Sequence, residues 1–90
     1  MPRYLVERSF HDGLGVEANR AGADACRTVV AINAEHGVTW VHSYVGEDRG
    51  FTWCVYDGPS PEAIRRAAER NGLPVDRISE IRVLDPYFHH

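Results

Sequence analysis

The sequence predicts an α+β sandwich: a four-stranded antiparallel sheet with two helices on one face. Three observations carry that expectation. Apolar residues recur at helical spacing in two stretches only, 16–36 and 60–71. Four shorter runs rich in β-branched and aromatic residues surround those stretches. Glycine- or proline-bearing breaks separate the runs, so the elements follow the order β-α-β-β-α-β. Two successive βαβ-type crossovers place both helices on the same side of the sheet, in the strand order four, one, three, two. That is the ferredoxin-like arrangement.

Each element has a local reason. "RYLVERSF" (Arg3 to Phe10) is a short β-rich run and forms the first strand, followed by the polar, glycine-rich loop "HDGLG". From Val16 to His36, the residues Ala18, Ala21, Ala25, Val29 and Ile32 step by three and four, as an amphipathic helix requires. Gly37 stops that helix, with His36 in its last turn. Val38 to Val45 is the second strand, "GEDRG" (Gly46 to Gly50) the turn, and Phe51 to Asp57 the third strand. In "GPSPEAIRRAAERNG", Ser60 is placed to cap, Pro61 to occupy the first helical position, and Gly72 to end the helix. "LPVD" breaks the chain, Arg77 to Leu84 is the fourth strand, and Pro86 ends it.

The 90 residues fit a single domain spanning 1–90. A chain this short has a modest core, and dimerisation would help it. The net charge is −3 and the arginines are interleaved with acids, which argues against a nucleic-acid partner. No apolar run reaches the roughly 20 residues of a membrane span, and the start of the chain lacks the apolar core of an export signal. With no export signal, the two cysteines, Cys26 and Cys54, are expected as free thiols in a reducing cytoplasm.

Alternation along the strands then groups side chains by face. If Val45 opposes Phe51, then His42 opposes Cys54 and Trp40 opposes Tyr56. On this register Tyr4, Val6, Val41, Val45, Trp53, Val55, Ile81 and Val83 form the helix-covered core. The opposite face collects Leu5, Glu7, Trp40, His42, Tyr44, Thr52, Cys54, Tyr56, Glu80, Arg82 and Leu84. A layer mixing aromatics with His, Cys, Glu and Arg is expected to be covered, most simply by a second copy of itself. A one-residue slip would send His42 and Cys54 to opposite faces.

Glu7, His42 and Cys54 would then lie on three adjacent strands. Carboxylate, imidazole and thiolate form a transition-metal donor set, and imidazole suits nickel, copper and zinc. The alternative is a buried dimer face in which His42 and Glu7 satisfy hydrogen bonds and Cys54 packs as a small hydrophobe. Cysteine catalysis with His42 as base lacks a helix N-terminus aimed at Cys54. His11 and Asp12, on the loop after the first strand, are potential surface ligands, and His36 reads first as a helix-end residue. The glycines of "HDGLG" do not make a nucleotide-binding frame. His89 and His90 are set aside, because terminal histidines bind nickel whatever a protein does.

Several stretches together resemble a known family: "YLVER" at the start, "WVHSYV" (Trp40 to Val45), "CVY" (Cys54 to Tyr56), "EAIRRAAERNGLPVDRISEIR" (Glu62 to Arg82) and the closing "LDP". The chain resembles, from Tyr4 to Pro86, a small bacterial family of nickel-binding proteins, formerly a domain of unknown function. The resemblance implies a ferredoxin-like fold, a homodimer, and nickel ions bound at the dimer surface. It points first to His42 and Cys54, which lie inside the shared motifs. His11 and His36 fall in the loosely matching region. The expectation is thus a cytoplasmic, dimeric protein that binds nickel for sequestration or sensing. Two rivals stand beside it. One is an enzyme or small-ligand protein of the monooxygenase or cyclase kind, which would need a deep apolar pocket holding a polar residue. The other is a purely structural dimer.

Overall fold

A computed structural model describes residues 1–10 and 20–87. The elements follow in the expected order: β1 (Arg3–Ser9), α1 (Arg20–Glu35), β2 (Thr39–Val45), β3 (Phe51–Asp57), α2 (Pro61–Arg70) and β4 (Arg77–Ile81). The sheet order is β2-β3-β1-β4, with every neighbouring pair antiparallel. This is the ferredoxin-like βαββαβ layout. The stretch expected to begin the first helix, from Val16, lies outside the described residues up to Arg20.

The helix ends obey local chemistry. Ser60 Oγ accepts the Ala63 N–H at 3.2 Å, and Pro61 and Glu62 open α2. Both helices end on a glycine in the left-handed region, Gly37 at φ 69° and Gly72 at φ 67°. The left-handed turn lets the Val38 and Leu73 amides reach back to Asn33 O and Ala68 O. The 46–50 turn is held by the Gly46 amide on Phe51 O at 2.8 Å and the Gly50 amide on Asp48 Oδ1 at 2.9 Å.

β4 is shorter than expected, ending at Ile81 rather than Leu84, and Val83 and Leu84 are exposed. Among the described strands its only sheet neighbour is β1, and the pairing runs out where Arg3 meets Ile81. Pro2 comes next on β1, and proline has no amide to continue a ladder.

The core differs from the expected set. Tyr4 and Val6 face the helices, but they share that face with Cys54 and Tyr56, not with Trp53 and Val55. Register fixes this, because Tyr4 pairs with Tyr56 and Val6 with Cys54, and directly opposed residues share a face. Val38, Ala63, Ile64 and Ala67 complete the cluster, with Trp40, Val75 and Ile78 packed against it. Val41, Val45 and Val83, expected inside, are exposed. The open face therefore carries Leu5, Glu7, Trp53, Val55, His42 and Tyr44.

A bulge on β2 accounts for the second correction. Trp40 opposes Tyr56 as expected, but the register shifts between Trp40 and His42, so that Val41 is the extra residue. Beyond it His42 opposes Val55, Ser43 opposes Cys54 and Val45 opposes Thr52. Ser43 is thereby carried onto the helix side, where its Oγ accepts the Trp40 Nε1–H at 2.8 Å.

Candidate functional site

The bulge separates the two residues that the unshifted register would have paired. His42 stands exposed on the open face, its ring edge-on to Tyr44 with centroids 5.2 Å apart. Cys54 is buried on the helix side, with its Sγ 3.7 Å from Thr52 Oγ1. The expectation that imidazole and thiol lie side by side is therefore corrected: one extra residue on β2 reverses the face of everything after it.

Glu7 does share the open face with His42. Its own row across the sheet is Glu7–Trp53–Tyr44, so β3 and the Trp53 side chain lie between the two. Two strand spacings and an offset of two residues along the strands make that gap roughly 12 Å. Glu7 is beside Arg77, with 3.8 Å between Oε2 and Nε. His36 follows α1, with its Nε2 3.4 Å from Arg70 Nη1. The same Arg70 nitrogen donates to Glu35 at 2.7 Å. A guanidinium between imidazole and carboxylate occupies the place a cation would need. His11 lies outside the described residues. Among the described residues no three His, Cys, Asp or Glu side chains gather where one ion could sit.

The helix side of the sheet holds something else. A cavity of about 400 Å³ lies between α1 and the strands β1, β2 and β3. Ala25, Cys26 and Val29 of α1 form one wall. Trp40, Cys54 and Tyr56 form the floor. Both thiols are free, and both reach this space. Arg8 also lines it.

Arg8 is the residue that sequence reasoning passed over. It is 2 % exposed. Its Nη1 donates to Tyr56 Oη at a long 3.4 Å, and its guanidinium lies 5.5 Å from the centre of the Tyr56 ring. Its Nε is buried and has no hydrogen-bond partner. The signal was available in the alternation of β1, since Tyr4, Val6 and Arg8 are two residues apart and must point the same way. Burial pushes the Tyr56 phenol above its usual pKa, against a downward pull from the Arg8 cation and with a smaller upward push from Cys54. At neutral pH Tyr56 is therefore a neutral hydroxyl beside a buried charge. The cavity meets part of the requirement for a small-ligand protein: it is mainly apolar and holds a polar group.

Fold and site together define a small ferredoxin-like α+β protein with a mainly apolar cavity between sheet and helix and an exposed histidine on the opposite face. The chain belongs to the SCO4226-like nickel responsive protein family, which matches residues 4–81. A crystal structure of SCO4226 from Streptomyces coelicolor A3(2) is similar to it with a TM-score of 0.70. The two are 21 % identical, and the likeness covers 92 % of this chain and 99 % of that one. At that identity the likeness speaks for the fold. No curated protein matches the chain. Among the described residues no helix is long and apolar enough to cross a membrane.

Proposed function

We propose that this chain is a small cytoplasmic nickel-binding protein that sequesters or senses the metal as a homodimer. The observation that carries this reading is membership of the nickel responsive family over residues 4–81. Among the described residues of one chain no three donors converge on a nickel site. The reading therefore places the ion between copies. His42 is the first ligand to consider, because its imidazole is exposed and nickel accepts nitrogen donors. The surroundings of His42 favour a second copy: Tyr44, which shares its face, and the bulged Val41 are both exposed. A two-fold axis there would present each ligand twice. Glu7, on the same face, is the next candidate. Cys54, His36 and His11 are secondary ones, the first for its burial and the second for its Arg70 neighbour.

The test is nickel titration calorimetry with sedimentation velocity on protein carrying no affinity tag and lacking His89 and His90. The expected result is nickel uptake by a dimer, weakened in His42→Ala. No heat above background, or uptake by a species that sediments as a monomer, overturns the reading. Uptake unchanged in His42→Ala with Glu7→Gln removes the open face as its location.

A further inference from the structure

We propose that the cavity between α1 and the sheet binds a small organic carboxylate. In this site Arg8 meets the charge, and the apolar body lies against Trp40 and Phe10. The proposal stands apart from nickel binding and uses the other face of the sheet.

Three observations carry it. First, Arg8 is a buried cation with no counter-charge among the described residues. Among the described residues its only partners are the Tyr56 hydroxyl and ring, both neutral, and its Nε has none. Taking a guanidinium out of water without an anion is costly, and buried charges are normally paired. A sequence needing only to fill this position would place a leucine or methionine here, as Val6 fills the position two residues earlier. Second, among the described residues that line the space, Arg8 is the buried charged one and none is a carboxylate. Third, the remaining lining is mainly apolar, and about 400 Å³ falls at the small end of the ~300–1,000 Å³ typical of ligand sites. An apolar wall with one embedded cation matches a monoanion with an apolar body. Guanidinium recognises carboxylate with two parallel hydrogen bonds. A bare, strongly hydrated anion would leave most of the wall unused.

The test uses the full chain without an affinity tag. Octanoate and benzoate are titrated by calorimetry and by tryptophan fluorescence, against octanol and benzyl alcohol as neutral partners of similar shape. The carboxylates are expected to bind at least about tenfold more tightly than the matching alcohols, the scale of a hydrogen bond to a charged group. Arg8→Met is expected to reduce them to the level of the alcohols. Saturating octanoate is expected to slow alkylation of Cys26 by iodoacetamide severalfold, because that thiol lines the same space. Val29→Phe, which fills the cavity from α1 and leaves Arg8 in place, is expected to abolish binding and keeps the test decisive should Arg8→Met fail to fold. Equal binding of acid and alcohol, retained carboxylate binding in either variant, or equally tight binding of inorganic phosphate overturns the proposal.

Discussion

Replacing Arg8 by methionine should make the protein more stable, not less. Arg8 is almost fully enclosed, so its charge bears a desolvation penalty that in real proteins still amounts to several kcal/mol per ion. Set against this are a cation–π contact of roughly 0.5–2 kcal/mol and one hydrogen bond. At 3.4 Å that bond is weaker than the ~1 kcal/mol of a good one. Methionine keeps most of the apolar stem and is flexible enough to fill an irregular space. The balance favours Arg8→Met by about 2 kcal/mol, the middle of the ~1–4 kcal/mol seen when buried ionic groups give way to apolar ones. For a domain of this size that raises Tm by roughly 8–16 °C. Calorimetric melting and urea denaturation of both proteins, at matched concentration and with no added ligand, measure it. A Tm for Arg8→Met below that of the parent refutes the reasoning, since the cation would then have a compensating partner. With octanoate at 100 times its dissociation constant the parent should gain about 2.7 kcal/mol, whereas Arg8→Met, binding at least about tenfold more weakly, gains at most about 1.4 kcal/mol, so the gap narrows.

Two further outcomes follow from the fold. Ile64 is 2 % exposed and anchors α2 against Val38 and Gly58, so Ile64→Ala should cost about 2–5 kcal/mol in urea denaturation; a loss below about 1 kcal/mol would show that α2 does not pack there. Asp57 accepts two hydrogen bonds from Arg3, at 2.7 and 3.0 Å, and the Arg3 guanidinium holds its carboxyl below the usual carboxylate range. A carboxyl lowered by folding stabilises above its unfolded pKa of about 3.9, and that stability is lost as pH falls through the folded value. Asp57→Asn should therefore melt lower than the parent at pH 6–7, with the two curves converging near pH 2; a constant offset across that range would contradict the pairing.

How much of this could be read from the chain depended on how local each signal was. Ser60, Pro61, Gly72 and Gly37 act through bonds to residues three to five positions away, so the second helix and the first helix's end were legible. Element order and crossover geometry then fixed the sheet order. The faces were not legible, because β3 is apolar on both sides. In "FTWCVYD" the bulkier set, Phe51, Trp53 and Val55, points away from the helices, while Thr52, Cys54 and Tyr56 point toward them. Hydrophobicity alone favours the wrong set, and only pairing with Val6 decides. Val41 gives no glycine or proline as warning of a bulge, so the pairing of His42 with Cys54 looked sound. Membership of the nickel family was legible in the hairpin, second helix and last strand, where the resemblance is carried by contiguous residues. A donor set assembled across strands depends on register, and register was the weak link.

The irregularity at Val41 has a consequence beyond which way His42 points. Among the described strands, β2 is an outermost one, so one side of its backbone has no neighbour in the sheet. "TWVHSYV" is rich in β-formers and poor in charge, the composition most prone to recruit further chains into fibrils. A kink in the middle breaks the even spacing of amide and carbonyl groups that an incoming strand would have to match. Deleting Val41 would straighten that rim into an unbroken six-position template, with solubility the first property to suffer.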